Sequence, residues 1–119
     1  MEKNNIVNIR RGEVYWCDLG AYNGHIQRGK RPVIIIQNDV GNYYSPTTIV
    51  IPCSTTKKIA TPCHLYFKLK GKSNIALCEQ ITTINKNQLC GYIDTLDNRY
   101  MDILSSKLMR SLGYENAQI

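Results

Sequence analysis

No apolar run in this 119-residue chain approaches the roughly 18 residues needed to cross a bilayer. The opening residues, MEKNNIVNIRRGE, carry no apolar core of a secretory leader, so a soluble cytoplasmic protein without membrane attachment is expected. Histidine is scarce: His25 and His64 are the only two. No glycine-rich loop runs into Lys-Ser or Lys-Thr, which argues against nucleotide hydrolysis. A Gly-x-Ser-x-Gly elbow and a His-Glu-x-x-His helix are equally missing. The five cysteines are odd in number and form no Cys-x-x-Cys clip. Cys63 and His64 are adjacent, and neighbours on a strand point to opposite faces, so neither a metal nor any other cofactor is expected.

What is present is positive charge. Fifteen Lys and Arg stand against nine Asp and Glu, giving a net charge of +6 and a pI near 9.1. That balance suits a polyanionic partner. Arg28, Lys30 and Arg31 fall within four positions, and Lys57 and Lys58 follow a run of hydroxyl residues. Lys68, Lys70 and Lys72 flank a turn at Gly71 and read first as a solvated hairpin tip.

At this length a single domain over 1–119 is expected, with 1–9 a loose tail. Strands are predicted over 13–19, 33–37, 47–53, 64–69, 74–80 and 90–94, separated by turn residues. Residues 20–31 read as a long loop, of a length that is usually functional or disordered. A short 3₁₀ element is expected near 38–42 and a helical turn over 84–88. The last element is a helix. Asp97 caps it, Met101, Ile103, Leu104, Leu108, Met109 and Leu112 make its apolar stripe, and Gly113 ends it. Short strands followed by one packing helix indicate the α+β class, mainly antiparallel, as a small barrel.

The most informative stretch is 27–56. A basic loop stops at Pro32, which opens the β-branched run Val33-Ile34-Ile35-Ile36; a second run ends in Pro52-Cys53-Ser54-Thr55-Thr56. Two buried strands would thus carry an arginine at one end and hydroxyls at the other, where an anion could sit. RNA cleavage by its own 2′-OH needs no metal. It needs a base for that hydroxyl, donors for the phosphorane, and a proton for the leaving 5′-oxygen. Arg31 offers a planar cationic fork for the phosphorane oxygens, and a surface ion pair is its plainer explanation. Ser54, Thr55 and Thr56 could add a hydroxyl or a backbone N–H, or could simply form a turn with Pro52. His64 alternates with apolar positions and reads as structural.

These residues resemble the MazF/PemK family of toxin endoribonucleases. The matching pieces are Arg11-Gly12-Glu13-Val14-Tyr15, Gln27, Arg31-Pro32-Val33, Gln37-Asn38-Asp39 and Ser45-Pro46-Thr47. They continue with Ile51-Pro52-Cys53-Ser54-Thr55, Glu79-Gln80-Ile81 and Thr83-Ile84, in family order over about 10–113. The resemblance implies a small SH3-like barrel with a C-terminal helix, in a homodimer. It also implies metal-independent cleavage of single-stranded RNA to 2′,3′-cyclic phosphate and 5′-OH ends. The family's arginine before proline falls on Arg31, and its threonine at the strand end on Ser54. The family's frequent glutamate before the loop glutamine is Ile26 here, so His25 and Glu79 are the candidates for base and acid. Gln27, Arg28, Lys30, Thr55, Thr56 and Gln80 are the candidate RNA contacts, and Tyr22, Tyr43 or Tyr44 could stack on bases.

A toxin nuclease must be restrained, and a basic groove fits an acidic, disordered antitoxin segment, expected over the loop at 21–30. Two alternatives belong to another class. Related barrels inhibit gyrase through the end of the last helix, and a catalytically dead RNA- or protein-binding barrel is compatible with the changes at Ser54 and Ile26.

Overall fold

The computed structural model describes residues 8–21, 28–55 and 62–114. The elements run β1 (Glu13–Asp18), β2 (Lys30–Ile35), α1 (Asp39–Tyr44), β3 (Thr47–Ser54), β4 (His64–Leu69), β5 (Lys72–Leu77), β6 (Thr82–Asn85), a 3₁₀ turn (Lys86–Gln88), β7 (Leu89–Thr95) and α2 (Asn98–Ser111). All strand pairs are antiparallel, in the order β4-β5-β3-β2-β1-β7, with β6 also on β3. The expected α+β class holds: a curled, half-barrel sheet with a C-terminal helix.

The two β-branched runs are buried on both faces because successive side chains alternate. Val33, Ile35 and Val50 join one cluster with Tyr15, Cys17, Ile84 and Leu89. Ile34, Ile51 and Cys53 join the other with Leu65, Phe67 and Leu69. Helix α2 covers this second cluster through Met101, Leu104 and Leu108, which share one helical face. Only that half of the expected stripe is buried. Ile103, Met109 and Leu112 point outward, being off the covered face. Asp97 caps the helix by accepting from the Tyr100 N–H, and Gly113 leaves it with φ +81°.

Four details depart from the sequence expectations. Strand β2 spans Lys30–Ile35, not 33–37, because Lys30 and Arg31, expected in the loop, pair with Asp18 and Cys17. The element near 38–42 is an α-helix, Asp39–Tyr44, capped by the Asn38 side chain. The stretch expected as one strand to residue 80 ends at Leu77, and a separate strand, β6, follows from Thr82. A turn at Cys78 and Glu79, closed by the Gln80 N–H donating to the Leu77 carbonyl, makes the break. The helical turn over 84–88 shrinks to Lys86–Gln88, because Ile84 and Asn85 pair with Thr48 and Thr47.

Asn42 locks α1 to the sheet. It is buried, and its amide donates to the Gln37 carbonyl (3.0 Å) and Asp39 Oδ1 (3.1 Å). Its Oδ1 accepts from Gln37 Nε2 (3.1 Å) and Thr48 Oγ1 (2.7 Å). Asp39 Oδ1 also accepts from the Arg11 N–H at 2.7 Å, while Arg11's guanidinium reaches the Ile36 carbonyl and Ser105 Oγ. The motif residues Arg11, Gln37 and Asp39 therefore serve to join β2, α1 and α2.

Two outcomes test this packing. Asn42→Ala strands the donors of Gln37 and Thr48 in a buried site and should cost about 2–3 kcal/mol in urea unfolding, whereas Ile103→Ala should change stability by less than about 0.5 kcal/mol. Burial also holds the thiols of Cys17 and Cys78 up at about 12 against an ordinary 9.0, and pushes Cys53 up as well. The folded thiols stay neutral while those of the unfolded chain ionise, so their contribution is full below pH 9.0 and lost as pH rises towards 12. Urea midpoints should fall between about pH 8 and pH 11, and fall less in Cys53→Ala.

Candidate nucleic-acid interface

Arg31 enters the structure opposite Cys17 on β1, one step before the half-buried Pro32. Its Nε donates to the Arg28 carbonyl at 2.7 Å, which aims the guanidinium; the two terminal nitrogens bond no described residue. The base of the long loop is closed by the Leu19 and Gly29 backbones at 2.9 Å, and by Gly29 and Gly20 at 2.6 Å. Arg28 returns a donor to the Leu19 carbonyl at 3.4 Å. Lys30 is exposed beside them.

Arg31 lines a groove of about 550 Å³ that lies across the sheet. Trp16 and Pro32, cross-strand partners on β1 and β2, form one wall. Thr55, Lys70, Lys72 and Asn74 form the other. Among the described residues, four cations, Lys30, Arg31, Lys70 and Lys72, line this groove and no carboxylate does. A site of this charge attracts an anion and raises its local concentration.

The β4–β5 tip is a two-residue turn, with Leu69 paired to Lys72 and positive φ at Lys70 (51°) and Gly71 (80°). Such turns favour Asn or Gly at both centres. Lys70 is the one non-glycine residue with positive φ among the described residues. A side chain kept in that conformation, at the rim of a basic groove, is a functional signal. The sequence reading of these lysines as an exposed hairpin tip holds, and Lys70 and Lys72 in addition line the groove.

Ser54 is 2% exposed and does not itself line the groove; its neighbour Thr55 does. The β2–β3 register runs Ile35↔Val50, Ile34↔Ile51, Val33↔Pro52. Continued by two residues, it sets Arg31 across from Ser54, on one side of the sheet. Glu79 lies elsewhere. It follows β5, whose Ala76 pairs with Cys53, so it sits back along β3 from the hydroxyl end. Its carboxylate stands 3.5 Å from Nε2 of His64, which is buried, as its structural reading from the sequence expects. Gln80 is partly buried, and its carbonyl accepts from Thr82 Oγ1 at 3.0 Å. Neither Glu79 nor Gln80 lines the groove with Arg31.

Tyr43 and Tyr44 are exposed and meet edge to face at 4.7 Å, so neither belongs to the core. His25, Gln27, Thr56, Tyr22 and Ile26 lie outside the described residues, as do Lys57, Lys58, the tail at 1–7, most of the proposed antitoxin loop and the gyrase-type tail at 115–119. Trp16 and Asn74 carried no signal as separate residues. The lone tryptophan, exposed between buried Tyr15 and Cys17, was the one available hint.

With this geometry in hand, the comparisons are decisive. A family model for PemK-like, MazF-like toxins of type II toxin–antitoxin systems matches residues 10–112. The chain belongs to the PemK/MazF toxin family. It is 39% identical over 110 residues to Endoribonuclease EndoA of Bacillus subtilis (strain 168), covering 88% of this chain and 95% of that one. The fold superposes on MazF from Deinococcus radiodurans with a TM-score of 0.77 at 18% identity, covering 88% of this chain and 96% of that chain. A mycobacterial endoribonuclease in complex with its cognate antitoxin superposes with a TM-score of 0.75 at 24% identity, covering 88% and 95%. Among the described residues of this PemK/MazF chain, no helix is long and apolar enough to cross a membrane.

Proposed function

We propose that this toxin is a cytoplasmic, metal-independent endoribonuclease that cuts single-stranded RNA, working as a homodimer restrained by an acidic antitoxin segment. The observation that carries the reading is the groove in which Arg31 and three lysines stand with no carboxylate among the described residues that line it. The family membership and the names of its relatives supply the substrate class.

In this reading the RNA backbone enters along Lys70 and Lys72, and the scissile phosphate rests on the terminal nitrogens of Arg31. The 2′-oxygen attacks phosphorus and loses its proton to a base, for which His25 is the candidate, since Glu79 pairs with His64 and does not line this groove. The 5′-oxygen departs with a proton, leaving a 2′,3′-cyclic phosphate and a 5′-OH. Arg31 neutralises charge that grows on the phosphorane, an effect worth more in the transition state than in the ground state. Thr55 reaches the same phosphate from the groove wall, and the buried Ser54 before it supports the end of β3 that carries this contact. Gln27, Arg28, Lys30, Thr56 and Gln80 hold flanking nucleotides. DNA, lacking the 2′-OH, is not cut.

Arg31→Ala should lower the single-turnover cleavage rate by about 10²–10³, whereas Ser54→Thr should keep it. Wild-type protein should cut a long RNA in EDTA, with cyclic phosphate at the new 3′ ends. Full activity of Arg31→Ala, or silence of the wild type in EDTA, would overturn the assignment. Lys70→Asn relieves the strained turn and should leave the unfolding midpoint unchanged or higher. The same change should reduce the slope of log K against log salt for RNA binding by about 0.7.

A further inference from the structure

A second cavity, of about 460 Å³, adjoins the basic groove, and the two share Thr55 and Asn74 as their common wall. Their chemistry differs. The groove presents four cations; the second cavity presents the rings of Tyr66, Phe67 and Tyr100 with Ile75, and has Lys68 and Ser73 in its lining. Phe67 and Tyr100 meet edge to face at 6.4 Å, which holds one wall rigid, and Tyr66 stands 49% exposed opposite solvent. Between them lies Asn74, 4% exposed. Its Nδ2 makes a long bond, 3.3 Å, to the Lys72 carbonyl, and its Oδ1 has no partner. A buried amide oxygen without a donor is costly, and proteins rarely keep one without use.

We propose that this cavity seats the base of the nucleotide whose phosphate lies at Arg31, and that Asn74 reads that base; the inference rests on the nuclease reading above. A nucleotide joins an anion to a flat aromatic ring, which is the pair of chemistries set side by side across Thr55 and Asn74. The ring stacks within the aromatic wall, a sequence-tolerant contact. Discrimination comes from Asn74. With Nδ2 held by the Lys72 carbonyl, the spare Oδ1 selects a base edge that presents a donor, an exocyclic amine or an imino N–H. A base offering only acceptors at that edge would leave the amide unpaired, and is rejected.

Two measurements test this. In the first, wild type, Asn74→Ala and Tyr66→Ala cut a pool of long RNAs, and fragment ends are mapped. Asn74→Ala should lose about tenfold in base preference at one position beside the cut. Tyr66→Ala, changed at a half-exposed site that should fold without difficulty, should raise KM more than it lowers kcat. Base preferences in both variants identical to wild type at every position would overturn the proposal. In the second, the Asn74 side-chain amide signal is followed by NMR during titration with AMP, CMP, GMP, UMP and ribose 5-phosphate. It should move with some of the four nucleotides and stay still with the sugar phosphate. A signal unmoved by all four overturns the base site. If the signal moves but the wild type cuts no RNA, the nuclease reading fails and the base site stands.

Discussion

The structure depends on one strand having two different neighbours along the same edge. β3 keeps β2 on one side from Val50 to Pro52, while the other side passes from β6, which ends at Val50, to β5, which begins at Cys53. Pro52 lies in the changeover, the place in a sheet interior where a missing N–H costs least. This exchange curls the sheet, because β4 and β5 are carried away from the line of β6. It also brings the β4–β5 tip round to the end of β2. The basic groove is the space under that curl, with Arg31 on one side and Lys70 and Lys72 on the other.

Much of this was legible in the chain, for stated physical reasons. Alternation in Val33-Ile34-Ile35 and Ile49-Val50-Ile51 marks strands buried on two faces, and Asp97 and Gly113 bound α2 through capping chemistry that acts locally. Arg31 stood out for its place before Pro32. What local pattern could not give is the meeting of distant elements. Lys70 and Lys72 look like any exposed pair until the curl is known, and Asn74 looks like an ordinary polar residue entering a strand. β6 was missed because Thr82 and Thr83 fall between the strand expected to end at residue 80 and the helical turn expected from residue 84, and the break after Leu77 is fixed by the turn at Cys78 and Glu79.

Glu79 shows how motif and geometry can part. The sequence made it a candidate for proton transfer, yet its carboxylate faces His64 at the start of β4, away from the residues that line the groove with Arg31. A carboxylate in that groove would cancel part of the field that attracts a phosphate. Its position beside a buried imidazole instead ties the end of β5 to β4. Lys70 makes the opposite case. A residue that costs the turn something by its positive φ is retained where its charge counts.

Two buried asparagines separate structure from function within one small fold. Asn42 has all four of its amide's hydrogen-bonding positions filled by Gln37, Asp39 and Thr48, so it has nothing left to offer and acts as a rivet. Asn74 is nearly as buried but keeps one long bond and an unpaired oxygen on the wall between a cationic groove and an aromatic cavity. Stability alone would favour an apolar side chain of the same volume at that position, since replacing a half-satisfied amide is close to neutral or better. A polar group placed where folding gains nothing from it, at the junction of surfaces suited to a phosphate and to a ring, is best explained by a ligand that supplies the missing donor.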